Sequence, residues 1–300
     1  MSQKPAYIFK VVFSSPESKN PKINLLSYTD VLSYNRSKDP PAYSGPLKSE
    51  MHLSSPWFKD TVPNFRILDN RDLPLGYDSG TAWTSVCLNL AIYLPWLISQ
   101  CLKNGVVLKR AVLNHISEAA KLHTYGKADV IVNCTGILAS KLGGVMDTHV
   151  VPARGVTVVV RNSPGGDMFT TSGTDDGDDQ PCYIMERAAG GGTILGGTYQ
   201  KGNWESQSTQ EQAIKIMKRC VDICPALTGG KGIEALSVIR VGIGLRPLRL
   251  SGVRIEREKI GDDWVVHNYG HAGWGYQASY GCSETVRELV DSVLIPKARL

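Results

Sequence analysis

The chain has 300 residues, 42% hydrophobic and 20% charged, which is enough apolar sequence for a substantial core in one large or two adjoining domains. Its net charge of +5 is spread over scattered Lys and Arg, without the concentrated basic stripe that a nucleic-acid-binding surface needs, so no nucleic-acid partner is expected. The most apolar run, residues 86–102, is broken by Asn89, Pro95, Ser99 and Gln100 and is shorter than a bilayer span, so it reads as a core element rather than a membrane anchor.

Residues 1–56 read as an irregular segment, interrupted by Pro5, Pro16, Pro21, Pro40, Pro41, Pro46 and Pro56. Within it, residues 23–26 and 28–34 suit short strands or a helix, with neither period dominant. Residues 1–13 hold lysines and no clean apolar run, so no leader is expected. A helix is expected over 90–103, its regular part starting near Pro95 and its end marked by Asn104-Gly105. Residues 106–109 form a short β run. The stretch ADVIVNC, 128–134, is apolar on both faces and suits a buried parallel strand; Thr135-Gly136 follows it at once. Residues 155–161 are strand-like, 162–180 a polar loop, and 181–187 and 193–199 strands joined at Gly190-Gly191-Gly192. Residues 208–224 form an amphipathic helix, with Ile214, Met217, Val221 and Cys224 at helical spacing. Strands are expected over 233–241, 253–258 and 264–268, and a last helix over 275–294.

A strand, a glycine turn and a long carboxy-terminal helix are how an α/β dinucleotide-binding domain ends, whereas middle strands without helices indicate an inserted, mostly antiparallel sheet. The expected fold is therefore mixed α/β. Residues 57–150 and 240–300 would be the parts of a discontinuous Rossmann-like domain, and residues 151–239 mainly a substrate-binding sheet. The seven cysteines are odd in number and irregular in spacing, without a C-x-x-C pair, and read as free thiols of a reducing compartment, with no metal site. The tail Ala298-Arg299-Leu300 has the small–basic–leucine pattern of a peroxisomal address; an arbitrary polar tail is the alternative.

Three segments carry chemistry. In VVHNYGHAGWGYQASYG, residues 265–281, four glycines lie between a strand and a helix, where backbone can approach a ligand and helix-end amides favour negative charge. In VGIGLRPLR, residues 241–249, Arg246 lies on an apolar strand, where it either makes a structural ion pair or holds a carboxylate by two parallel hydrogen bonds. The third joins PCYIMER (181–187) to LGGTYQKGNW (195–204), where Tyr183 and Tyr199 could equally be core tyrosines.

The first of these resembles the signature of D-amino-acid and D-aspartate oxidases, in Val265, Val266, His267, Asn268, Tyr269, Gly270, Ala272, Gly273, Gly275 and Gly281, with Ser283 in place of a usual Ala. WFKDTVPNFRIL (57–68) and ADVIVNCTG (128–136) are also similar to the family, so the resemblance runs from about Trp57 to Leu300. It implies FAD as cofactor, met by Val112, Thr135, Gly136, Arg154, Ala272, Gly273, Trp274, Gly275, Tyr276 and Gln277. It implies that Arg246 clamps the substrate carboxylate, that Tyr183 and Tyr199 line the cavity, and that Gly273 borders the substrate; Met185 and Glu186 depart from the family's Ile-Pro after Tyr183. The implied reaction is oxidation of the substrate's α C–H bond by hydride transfer to the flavin, giving a 2-oxo acid, ammonia and, with dioxygen, hydrogen peroxide. Peroxide production strengthens the peroxisomal reading, with the import receptor as a partner and the cytoplasm as the alternative location; a homodimer is compatible with such a chain.

D-aspartate oxidases typically carry an extra Arg at the position of Tyr199, so the resemblance favours neutral D-amino acids. One element is missing: no G-x-G-x-x-G follows a strand, so the first βαβ unit is expected to be absent or replaced, exposing an apolar sheet edge. Three readings stay open: an active oxidase with reorganised FAD binding, an impaired paralogue keeping the cleft as a binding module, and a truncated reading of a longer gene.

Overall fold

The computed structural model describes residues 26–39, 52–123 and 125–295. In chain order the strands are β1 (Leu26–Asn35), β2 (Arg66–Ile67), β3 (Ser79–Leu88), β4 (Val130–Asn133), β5 (Val150–Val160), β6 (Met168–Thr171), β7 (Tyr183–Glu186), β8 (Thr193–Gly196), β9 (Gln200–Lys201), β10 (Val238–Arg249), β11 (Arg254–Ile260) and β12 (Asp263–Tyr269). The α-helices are α1 (Leu90–Lys103), α2 (Gln210–Ile223) and α3 (Gly275–Leu294).

Two sheets organise these elements. The larger runs β10-β5-β8-β7-β6-β1-β3-β2, with β9 also on β5, and is antiparallel except where β1 meets β6. The smaller runs β11-β12-β4, with β12 and β4 parallel. This mixed α/β architecture is the expected class.

Period-two alternation gives the large sheet two different faces. Val156, Val158 and Val160 of β5, with Ile184 and Leu195 beside them, pack on Ala213, Ile216, Cys220 and Val221 of α2. A capping box fixes the start of α2: Thr209 Oγ1 accepts from Gln212 N, and Gln212 Oε1 accepts from Thr209 N. The opposite face of β5 and β10 presents Gly155, Thr157, Gly242, Gly244 and Arg246.

Several boundaries differ from the expectation. Within the segment expected to be irregular, β1 is a ten-residue central strand pairing with β3 over its whole length. Its period was masked because polar Ser33 is buried beside Val31 and Tyr34; the Ser33 hydroxyl is hydrogen-bonded to His52 Nδ1 at 2.7 Å. β3 and β10, expected in the Rossmann-like part, lie in the large sheet, and β6 forms inside the expected polar loop 162–180. Residues 233–235 form a 3-10 turn, and the strand begins only at Val238.

Helix α1 starts at Leu90 and passes through Pro95, because Asn89 caps it: Asn89 Oδ1 accepts from Ala91 N at 3.2 Å while Asn89 Nδ2 donates to Ala188 O at 2.8 Å. It is not a core element, since none of its residues is buried and Ile92, Leu94, Leu97, Ile98 and Leu102 are exposed. No described helix is long and apolar enough to cross a membrane. The expected strand at 106–109 is absent, and Val106, Val107 and Leu108 face solvent. A strand is stable only when paired, and no described strand pairs with this run. Among the described residues, β4 is an edge strand of the smaller sheet, with Val132 exposed.

Candidate functional site

The cleft is built on glycines. An atom at the Cβ position of Gly155 would come within 2.6 Å of Arg246 Cζ, one at Gly196 within 2.5 Å of Tyr183 Oη, and one at Gly197 within 2.6 Å of that same oxygen. Real Cβ atoms do not approach so closely, so only bare backbone on β5 and β8 lets these two side chains lie down on the sheet.

Arg246 Nη1 donates to Thr198 O at 3.1 Å and Ala153 O at 3.4 Å, and Nη2 donates to Tyr183 Oη at 3.2 Å. All three acceptors are neutral, and no carboxylate pairs with Arg246 among the described residues. The Arg246 guanidinium also lies 5.5 Å from the centre of the Tyr199 ring. Burial pushes both tyrosine hydroxyls up from their ordinary pKa, with the Arg246 charge opposing, so both stay protonated at neutral pH. Tyr183 Oη accepts from Arg246 and keeps its proton to donate to a ligand. Tyr199 Oη is buried without a partner. Arg246, Tyr183 and Tyr199 thus converge as the sequence suggested, around a fixed cation and two hydroxyl donors. On the strand side of Arg246 a cleft of about 250 Å³ is lined by Gly155, Arg246 and by Thr157, Arg240, Gly242, Ile243 and Gly244, which sequence reasoning did not single out.

The second sheet brings its turns to the same strand. Leu248 of β10 bridges to His271, and a Cβ at Gly136 would lie 3.8 Å from Pro247. The turn after β12 reverses sharply, with φ +90° at Gly270 and +50° at Ala272; α3 then begins at Gly275, with Tyr276 and Gln277 exposed in its first turn and Gly273 exposed before it. Gly270 is required there both by its φ and because a Cβ would meet Arg249 Cβ at 2.6 Å.

A buried relay joins this turn to β4. Asn133 Oδ1 accepts from Thr135 N at 3.1 Å and Thr135 Oγ1 at 2.7 Å. Asn133 Nδ2 then faces His267 Nδ1 at 3.1 Å, and His267 Nε2 faces Glu258 Oε1 at 2.8 Å. With its oxygen committed to Thr135, Asn133 presents N–H to Nδ1, so neutral His267 carries its proton on Nε2 and donates it to Glu258. Burial first, and the Arg254 charge second, lower the His267 pKa from 6.5, against the pull of Glu258. Nearby, burial works to raise the Asp147 carboxyl, but hydrogen bonds from Arg249 and Tyr269 outweigh it and hold that group low.

The unfolded chain takes up a proton at His267 near pH 6.5, before the folded protein does. Stability from this group is therefore full above pH 6.5 and declines as pH falls below it. In urea titrations between pH 7.5 and 5.5, His267→Gln is expected to flatten the decline seen for the unmodified chain; equal slopes would exclude this assignment.

The cofactor residues implied by the resemblance divide into two groups. Thr135, Gly136 and residues 272–277 flank β10, and the indole Nε1 of Trp274 is buried without an acceptor, an orphaned donor that fits a polar group of a bound molecule. Val112 is almost fully exposed, in a run without regular structure beside the open edge of β4. Arg154 is fully buried and donates to Gln200 Oε1 of β9 at 2.7 Å and to Glu205 O at 2.7 Å and Gln207 O in the loop after it, so its side chain positions that loop. The residues present fit the flavin end of FAD, and the described residues offer no counterpart for its pyrophosphate. None of the seven cysteines forms a disulfide, and no described group of three His, Cys, Asp or Glu could hold a metal.

Comparison with known proteins follows the same lines. A D-amino-acid oxidase of Fusarium vanettenii is 57% identical over 240 residues, 79% of this chain and 66% of the relative. D-amino-acid oxidases of Schizosaccharomyces pombe and Rubrobacter xylanophilus are 35% and 32% identical over 243 residues each, covering 80% of this chain and 66% and 68% of theirs. The chain spans about two thirds of the length of these relatives. In fold it is similar to glycine oxidase from Geobacillus kaustophilus, with a TM-score of 0.70 at 16% identity, covering 97% of this chain and 80% of that one. An L-alpha-glycerophosphate oxidase from Mycoplasma pneumoniae, solved with FAD bound, gives a TM-score of 0.68 at 15% identity, covering 97% and 79%. The family of FAD dependent oxidoreductases matches residues 54–289, and with the relatives above this shows that the chain belongs to the D-amino-acid oxidase family.

Proposed function

We propose that the chain oxidises D-amino acids to 2-oxo acids, ammonia and hydrogen peroxide. The observation that carries this reading is the Arg246 guanidinium, held by neutral acceptors on a glycine floor and left without a carboxylate of the protein's own. A substrate α-carboxylate supplies the missing partner, with Tyr183 Oη donating a further hydrogen bond. The Tyr199 ring lies 5.5 Å from the guanidinium and its buried hydroxyl offers a second donor. FAD, when bound, accepts the hydride; the protein's part is to fix the substrate so that its Cα–H faces the cofactor. No acid–base pair surrounds Arg246, which suits a substrate whose amine arrives neutral.

The test is the visible spectrum of the purified chain with added FAD, before and after D-alanine without oxygen. Flavin bands that bleach are the expected result; bound flavin that stays oxidised overturns the proposal. A folded chain that takes up no flavin favours the binding-module reading, which the open β4 edge and exposed Val112 support. Dimer formation and peroxisomal location belong to this proposal too. Residues 298–300 lie outside the described residues, and peroxide as a product is what supports the address.

A further inference from the structure

Helix α2 packs its apolar side on the large sheet, on the face away from the cleft, yet one cation lies on that buried side. Arg219 sits with Ile216 and Cys220 and is only 8% exposed. A buried guanidinium is costly unless paired, and pairing adds little net stability, because desolvation offsets the attraction. What such a group supplies is geometry. Nη1 of Arg219 donates to Asp176 Oδ2 at 2.6 Å and to Gln180 Oε1 at 3.4 Å, both in the loop between β6 and β7. Nη2 donates to Gly197 O at 3.0 Å.

Gly197 opens the link 197–199, which joins β8 to β9 and carries much of the candidate site. Thr198 O accepts from Arg246 Nη1 at 3.1 Å, and the Tyr199 ring lies 5.5 Å from the same guanidinium. No described strand pairs with residues 197–199. Instead Gly197 N donates to Pro181 O and Tyr199 N to Asp179 O, each at 2.7 Å, while Thr198 Oγ1 accepts from Val156 N at 2.9 Å. The loop that receives two of these bonds is the one that Arg219 ties to α2. Neighbouring carbonyls of the link are thus taken by two guanidiniums from opposite sides, Gly197 O by Arg219 and Thr198 O by Arg246. Releasing Gly197 O would free the peptide that precedes Thr198, and two glycines before it place no side chain in the way of its rotation.

We propose that Arg219 is a positioning residue for the substrate clamp. From the helix side of the sheet it sets the link 197–199, and through Thr198 O it sets the direction of the Arg246 fork. It touches no substrate itself. A planar, two-armed cation suits the task, since one arm must reach the loop and the other the link. The inference rests on the proposed carboxylate role of Arg246.

Pyruvate and pyruvamide read the clamp without turnover, because they differ only at the carboxylate and neither has an α-amine to oxidise. With FAD present throughout, calorimetry on the full chain is expected to show pyruvate bound about tenfold or more tightly than pyruvamide, from charge-assisted bonds to Arg246. In Arg219→Met that ratio is expected to fall about fivefold or more, whereas a variant that merely loosens the fold weakens both compounds alike. Adding Arg219→Met to Arg246→Met should leave the ratio of the latter unchanged. If circular dichroism shows that Arg219→Met does not fold, Arg219→Lys takes its place with the same expectation, since it keeps the charge beside Asp176 and gives up one arm. An unchanged ratio in the folded variant overturns the inference and leaves the role of Arg246 intact. No preference for pyruvate in the unmodified chain removes the carboxylate role of Arg246, and this inference with it. If the ratios behave as expected but D-alanine bleaches no flavin, the oxidase reading falls and the positioning role stands.

Discussion

Arg246→Met is expected to lower kcat/KM for D-amino acids by about 10²–10⁴-fold, the loss of two charge-assisted hydrogen bonds at about 1.5–3 kcal/mol each. Methionine keeps much of the apolar stem and removes only the cation, so the fold should hold: Thr198 O and Ala153 O lose a neutral contact each, and Tyr183 Oη is freed. Arg246→Lys restores charge without the planar fork and should recover only part of the loss. The informative measurement is the split between KM and kcat. A clamp that only binds raises KM, whereas a clamp that also orients Cα–H lowers kcat as well. A change of less than tenfold in kcat/KM would remove Arg246 from the site.

Gly155→Ala should damage the same clamp without touching a polar atom. The added methyl would lie 2.6 Å from Arg246 Cζ, so the guanidinium must move off the sheet. A misplacement of about 1 Å costs on the order of 10²-fold in rate. The backbone of Gly155 is ordinary extended strand, so alanine itself is not disfavoured there, and the Tm should stay within a few degrees. Combining it with Arg246→Met distinguishes this mechanism from general damage. If Gly155→Ala acts only through the guanidinium, the double variant is no worse than Arg246→Met alone. Additive losses would mean that the glycine serves something else.

Helices, turns and the chemistry of single positions were legible in the sequence because they depend on neighbours along the chain. The helix 90–103, the helix 275–294 and the turn at 270–275 follow from local spacing and from glycines, whereas the role expected of Arg246 came from the resemblance. Strand β1 was not legible, because its buried Ser33 and its long-range pairing to β3 leave no clean alternation. Nor could residues 106–109 be judged: their β-prone composition predicts a strand, but a strand exists only beside another, and β4 is left as an edge.

Arg154 shows the same limit at the level of one side chain. The resemblance implied a cofactor contact for it, and the fold brings Gln200, Glu205 and Gln207 to its side-chain nitrogens. Arg240, Gly242, Gly244 and Arg246 alternate along one continuous strand, and its pairing with β5 turns them toward the cleft. The sequence by itself determined the family and pointed to Arg246 as a candidate carboxylate ligand. The tertiary structure decided which strands lie side by side, and therefore which arginine is spent on a loop and which faces the cleft, because burial and partner choice arise from contacts between residues far apart in the chain.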